Sequence, residues 1–313
     1  MSITINKFET SEDKLNFINN LHYIQKTLDV EANKILYLHK LRGGMSNDLY
    51  LFLVNENKYT LRVPSKLANL FIDRKIEKVH LDFLNQTTIS SQTLFFDAIT
   101  GVKIANYIEG VSLKEIDFET YLPLISNKLK ELHSLNVTPH FNYNLFERLH
   151  QYEQLNEKYD FIRFQSRQNL EIYYNTKKQL YQLYLEHFIN DNLTFSHGDI
   201  QRSNIVLDKD EKIFFLDFEF ASYNNLYYDF ASFGNVSIDD SLKLASIYLN
   251  RKLEQHDLNK IYFYRTFQAL QWHSVAFFKH YANMGIQLQI DFLSFSVKYL
   301  ELATTLLNKI TFK

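Results

Sequence analysis

HGDIQRSNIVLDKDEKIFFLDFE, residues 197–219, is the stretch on which the reading of this chain turns. Asp199 and Asn204 stand five apart in a polar turn, followed by the apolar run Ile205, Val206, Leu207. A charged turn at 208–212 leads into a second apolar run, 213–216, which ends at Asp217. Two short strands flanking a turn bring one carboxylate, one amide and a second carboxylate to a common edge. A general base beside a divalent cation needs that set, as in phosphoryl transfer. Asp199 is the candidate base, and Asn204 and Asp217 offer the hard oxygen ligands that magnesium prefers. Each residue taken singly also suits an Asx-turn or a helix cap; their combination points to chemistry. His197 is read as structural, holding the loop by hydrogen bonds.

Composition sets the frame for that motif. The 313 residues suffice for two modest domains, and 46% hydrophobic with 16% aromatic content is ample for burial. Three Pro and seven Gly exclude low-complexity linkers and collagen-like repeats. No cysteine is present, which removes disulfides, thiolate metal sites and a cysteine nucleophile. A net charge of −2 carries no nucleic-acid footprint. The N-terminal MSITINKFETSEDK has no apolar signal core, and no run approaches the ~18 apolar residues of a membrane span, so no membrane insertion is expected. The expectation is a soluble, cytoplasmic protein.

Periodicity divides the chain. Residues 11–28 read as one amphipathic helix capped by Thr10 or Ser11, with Leu15, Ile18, Leu21, His22 and Leu28 on its inner face. ILYLHKL, LYLFLV and YTLRV, between residues 35 and 63, read as strands, the last two joined by a turn at 55–58 and closed by Pro64. A helix over 70–85 has Leu70, Ile76, Val79 and Phe83 as inward candidates. TLFFDA and VKIANYI add two strands, and Gly110 ends this β-rich half. Segments 119–135, about 143–189 and 240–310 read as helical. The fold class is α+β and bilobal: residues 1–109 as a β-rich N-lobe with one main helix, and 110–313 as a mostly helical C-lobe.

HGDIQRSN, followed by FLDFEFASYNNLYYDFASF, resembles the choline/ethanolamine kinase family, within the protein-kinase-like aminoglycoside phosphotransferase superfamily. The family's His-x-Asp-x-x-x-x-Asn loop and its Asp-Phe-Glu stretch are both present. GGMSNDLYLF at 43–52, YTLRVPSK at 59–66, LFIDRKIE at 70–77, YIEG at 107–110 and LKELHSL at 129–135 extend the similarity over about 40–233. The resemblance implies an ATP- and Mg2+-dependent kinase with a protein-kinase-like fold. It places Gly43, Gly44, Ser46 and Asn47 at the ATP phosphates and Arg62 as their cationic partner. It has Glu77 holding Arg62, and backbone groups of Asn106, Tyr107 and Ile108 meeting adenine. Asp229 is implied to brace the catalytic loop. Asp217 and Asp229 stand too close for the activation segment of a protein kinase, which favours a small alcohol over a protein substrate.

Choline is the first acceptor that the resemblance suggests, since a quaternary ammonium is held by aromatic faces and a carboxylate. The family's Trp-x-x-Trp pair is reduced here to Trp272 with Val275, and the family's acid shortly after Asp229 is missing. Tyr264, Phe233 and Tyr223 are candidates to complete the cage and Glu219 to supply charge. The alternatives are a kinase for ethanolamine, thiamine or an aminoglycoside, or a nucleotide-binding pseudokinase.

Overall fold

The computed structural model describes residues 4–5, 8–41, 47–65, 67–285 and 289–312. The chain divides into two compact units, Met1–Phe118 with Arg202–Ala221, and Glu119–Gln201 with Ser222–Lys313. The first carries most of the β-structure and the second most of the helix, as the hydrophobic periodicities anticipate. Among the described residues no helix is long and apolar enough to cross a membrane.

In the first unit six strands form one sheet. Their order is β1 (Thr4–Ile5), β2 (Ile35–Leu41), β3 (Asn47–Val54), β4 (Asn57–Pro64), β6 (Lys103–Asn106) and β5 (Thr93–Phe96). β1 runs parallel to β2, and every other neighbouring pair is antiparallel. The β3–β4 hairpin closes through Asn55 and Glu56 at φ 48° and 68°. Two positive φ values in a two-residue turn match the right-handed twist of the flanking strands. A three-stranded sheet orders β10 (Ile213–Phe215), β9 (Ile205–Asp208) and β7 (Gly110–Ser112). β7 lies antiparallel to β9 and β9 to β10, which ties 202–221 to 110–112, and the Phe215 N–H donates to the Ile89 carbonyl at 2.8 Å within the first unit.

The expected helix at 11–28 is two helices, α1 (Ser11–Asn19) and α2 (Leu21–Leu28). Asn20 breaks it by turning its side chain back onto the Asn16 carbonyl at 2.8 Å, the competition with helix bonding typical of asparagine. The break also rotates the buried face. Phe17, Leu21 and Ile24 pack with Tyr37, Tyr50 and Phe52, whereas Leu15 is 58% exposed and Ile18 faces outward. Helix α3 (Arg74–Leu84) likewise departs from its expected face. It buries Arg74, Glu77, His80, Leu81 and Leu84, leaving Ile76, Val79 and Phe83 only half-buried. Its inner stripe is partly charged, which an apolar periodicity cannot report.

The second unit is built on helices. The segment at 143–189 is α5 (Leu145–Lys158) and α6 (Arg167–Leu183), separated where Asp160 takes φ 56° and Ser166 caps the next helix. The segment at 240–310 is α8 (Ile238–Leu249), α9 (Gln255–Tyr281) and α10 (Phe292–Leu307). α4 (Leu122–His133) and α7 (Tyr227–Phe233) complete the set, with β8 (Thr194–Ser196) pairing antiparallel to β11 (Ser222–Asn224). α9 is buried around most of its circumference, the mark of a helix inside a helical domain.

The α1 face can be tested directly. Phe17→Ala is expected to lower the unfolding free energy by about 3–5 kcal/mol, while Leu15→Ala changes it by less than about 0.5 kcal/mol. Urea denaturation of both variants measures the difference.

Candidate functional site

Arg62 lies on β4 and is 2% exposed, deep in the first unit. Its Nη1 donates to Glu77 Oε1 at 2.6 Å and approaches Asp217 Oδ1 at 3.4 Å. Its Nε and Nη2 donate to the Gly101 carbonyl at 3.3 and 3.0 Å. Burial alone lowers the pKa of Arg62, but Glu77 foremost, with Asp217 and Glu219, reverses the shift and fixes the charge. Asp73 caps α3 by accepting the backbone N–H groups of Lys75 and Ile76, which sets Glu77 one turn into the helix.

Arg74, given no role by the sequence reading, joins the cluster as a second guanidinium. Its Nη1 donates to Glu77 Oε2 at 2.6 Å and to Glu219 Oε2 at 3.2 Å, and its Nε donates to Asn69 Oδ1 at 2.9 Å. Gly101 makes this possible: its φ is +79°, and a Cβ there would stand 2.5 Å from Arg74 Nε. Lys103 is the third cation, opposite Arg62 in the β4–β6 register. Burial first and Arg62 second pull its ammonium down to about 8. No sequence signal marked Arg74 or Lys103, because both act through neighbours that only the fold supplies.

Asn204 and Asp217 are brought to one end of the β9–β10 pair. Ile205 is opposite Phe215, and beyond them the Leu216 N–H donates to the Asn204 carbonyl at 2.8 Å. Asp217 adopts φ 64°, ψ 65°, a left-handed conformation uncommon outside glycine, and its side chain is 34% exposed. Such backbone placement recurs where a side chain must be aimed. Glu219, two residues on, is nearly fully buried. It accepts from Arg74 and, at 3.0 Å, from Asn47 Nδ2. Burial foremost and the neighbouring Asp217 charge push its carboxyl upward, against the two guanidiniums. Its carboxylate is thus engaged within the first unit by Arg74 and Asn47.

The remaining nucleotide-side candidates differ in what can be placed. Gly43, Gly44 and Ser46 lie outside the described residues. Asn47 opens β3 and is buried. The Asn106 N–H donates to the Gln92 carbonyl at 3.0 Å and the Tyr107 N–H to the Lys58 carbonyl at 3.1 Å. Ile108 follows, half-buried.

In the second unit Asp229 organises the loop that bears Asp199. The N–H of His197 donates to Asp229 Oδ2 and that of Gly198 to Oδ1, each at 2.9 Å. His133 Nε2 stands 3.0 Å from Oδ2, and its Nδ1 is 3.0 Å from the Tyr248 hydroxyl. Burial would push Asp229 upward, but His133 and the loop N–H groups hold it below its usual range. Gly198 takes φ +82°, the turn that reverses the chain between His197 and Asp199. His197 is fully buried and its Nδ1 accepts from the Asp199 N–H at 3.2 Å. Gln201 Nε2 donates to Asp199 Oδ2 at 3.0 Å.

The proposed acceptor aromatics are not alike. Phe233 and Tyr264 are buried, with Tyr264 edge-on to Tyr228 at 5.9 Å. Tyr223 is buried too, its hydroxyl accepting from the Val137 N–H at 2.7 Å. All three pack the interior of the unit, whereas Trp272 is half-buried on α9. Tyr143, not singled out by sequence, donates from its hydroxyl to Gln271 Oε1 of α9 at 2.8 Å.

Residues 38–265 match the family model described as choline/ethanolamine kinase. Protein LicA of Haemophilus influenzae is 24% identical over 226 residues, 68% of this chain and 63% of that protein. The chain thus spans less than two thirds of that relative's length. The crystal structure of choline kinase LicA from Streptococcus pneumoniae superposes with a TM-score of 0.72 at 19% identity, covering 93% of this chain and 99% of that one. A structure of LicA in complex with AMP gives the same TM-score at 19% identity, over 93% and 98% of the two chains. At this identity the superpositions establish a shared fold.

The buried pair in the first unit carries a pH signature. Burial raises the Glu77 carboxyl, but Arg62 and then Arg74 more than offset this and hold it below its ordinary 4.5. Because the folded value is the lower one, its stabilisation is complete above pH 4.5 and fades as pH falls through the folded value. Glu77→Gln is therefore expected to cost about 3 kcal/mol at neutral pH by removing the carboxylate that Arg62 and Arg74 share, leaving them Asp217 and Glu219. The gap from wild type narrows as pH falls below 4.5, measured by urea denaturation across a pH series.

Proposed function

This chain belongs to the choline/ethanolamine kinase family, and from that premise we propose that it transfers the γ-phosphoryl group of ATP to the hydroxyl of a small amino-alcohol, choline first. The observation that carries this reading is the pair of carboxylates at 199 and 217 with the amide at 204, each set by its own backbone constraint. Asp199 accepts the proton of the acceptor hydroxyl as that oxygen attacks phosphorus. Asn204 and Asp217 would hold Mg2+, which neutralises the charge developing on the phosphates. An oxygen-only donor pair of one carboxylate and one amide suits a hard cation that keeps several waters.

Arg62 presents a planar fork suited to phosphate oxygens, and Glu77 orients it. Glu219 and Arg74 steady the same cluster, so we place Glu219 on the nucleotide side. Gly43, Gly44, Ser46 and Asn47 are proposed to approach the phosphates through backbone N–H groups. With the N–H groups of Asn106 and Tyr107 engaged inside the unit, adenine recognition falls to Ile108 and to the carbonyls of this segment. His197 and Asp229 hold the Asp199 loop. On the acceptor side Trp272 keeps exposed surface, whereas Tyr223, Tyr264 and Phe233 are buried in the interior of the second unit. The first unit would then serve the nucleotide and the second the acceptor. The reading also places the protein in the cytoplasm, where ATP is available.

Removing the base tests the assignment. Asp199→Ala is expected to lower kcat on choline by at least about 100-fold while calorimetric ATP binding persists. Undiminished turnover by the purified variant would overturn the role given to Asp199.

A further inference from the structure

α9 contains a buried cation that the proposed mechanism does not use. Arg265 is 3% exposed, and none of the described carboxylates is in ion-pair contact with it. Its contacts are neutral: Nη1 donates to Gln268 Oε1 at 3.3 Å, and Nη2 to the Asn235 carbonyl at 3.0 Å. A buried guanidinium without a counter-charge is strongly disfavoured. Burial does pull Arg265 downward, opposed by Tyr299, Tyr228 and Asp199. Both tyrosines are themselves shifted upward and so are neutral at physiological pH. Among these groups the Asp199 carboxylate is the one that carries a formal charge.

A hydrogen-bond chain within the second unit joins the two. From Arg265 Nη2 it passes to the Asn235 carbonyl, then from Asn235 Nδ2 to Gln201 Oε1 at 2.8 Å, and from Gln201 Nε2 to Asp199 Oδ2 at 3.0 Å. Its polarity has one solution. A carboxylate only accepts, so Gln201 must turn its NH2 toward Asp199. Its oxygen then needs a donor, which is the Asn235 NH2. Arg265 only donates, and it pins the backbone carbonyl of the residue that supplies that donor. Asn235 sits in the loop between α7 and α8, where the family's acid is missing.

We propose that Asn235 and Arg265 are positioning residues for Asp199, fixing through Gln201 the carboxylate that receives the acceptor's proton. The proposal rests on the reading of Asp199 as the base. Neither residue is required to touch substrate. Fixing one carboxylate oxygen restricts the rotation of Asp199, and misplacing a reacting group by about 1 Å costs on the order of 100-fold in rate. Asn235 is itself exposed, so its truncation removes one link without opening a cavity.

The test combines kinetics with a readout that needs no turnover. Asn235→Ala is expected to lower kcat about tenfold and Arg265→Met up to about 100-fold. KM for ATP stays within about twofold, and Arg265→Lys recovers most of the Arg265→Met loss. In parallel, exchange of the Gln201 side-chain amide protons, followed by NMR, accelerates several-fold in Asn235→Ala, because a Gln201 no longer held at Oε1 turns its NH2 away from Asp199 more often. Wild-type kcat together with wild-type Gln201 exchange in Asn235→Ala overturns the proposal. Should the wild-type protein phosphorylate no amino-alcohol, the function reading falls. The exchange measurement still decides whether the chain orders Gln201: unchanged exchange overturns it, and acceleration upholds it.

Discussion

A guanidinium withdrawn from water has to be matched, and the first unit is arranged around matching Arg62. Glu77 answers it from α3, Asp217 from the end of the β9–β10 pair, and the Gly101 carbonyl from the loop before β6. That requirement explains several local features at once. α3 turns a charged stripe inward because Glu77 and Arg74 belong to the match. Position 101 is glycine because Arg74 Nε occupies the place of a Cβ. Glu219 is drawn in by the two guanidiniums despite the cost of its burial. A cluster of this kind is poor evidence of stability in itself, since apolar replacements often do as well. In the proposed function its value is to hold a fork of N–H donors for phosphate oxygens.

The second unit solves a different problem, that of holding a loop. Asp229 accepts two consecutive backbone N–H groups, from His197 and Gly198, and His133 keeps it ionised. Asp199 follows directly on that clamp, with its own N–H tied to His197 and its carboxylate to Gln201. The backbone is thus set from one side and the carboxylate from the other. Rigidity of both is what a proton acceptor needs, because proton transfer depends on heavy-atom distances of about 3 Å.

Much of this was legible in the sequence where pattern and chemistry coincide. The two apolar runs at 205–207 and 213–216 predict strands that deliver Asn204 and Asp217 to one end, and β9 and β10 do so. Arg62, Glu77 and Asp229 were marked by resemblance, and the fold pairs the first two and sets the third on the loop. The misses share a physical cause. Helical periodicity counts apolar residues, so it could not foresee that α3 buries Arg74, Glu77 and His80, or that Asn20 divides the N-terminal helix. Tyr264 and Phe233, candidates for the acceptor cage, are buried, and Glu219, the candidate for its charge, is held by Arg74 from another element. Gln201, Asn235 and Arg265 had no local signal, since their meaning comes from a chain of bonds across a loop and a helix.

Phosphoryl transfer to a small alcohol is the proposed reaction, and 31P NMR reads that transfer without a coupling enzyme. The purified protein would be incubated with ATP and Mg2+ and, side by side, with choline, ethanolamine or thiamine. The account predicts a phosphomonoester resonance that grows in step with ADP, fastest with choline. ADP accompanied by inorganic phosphate alone, or no ADP with any of the three alcohols, would contradict it.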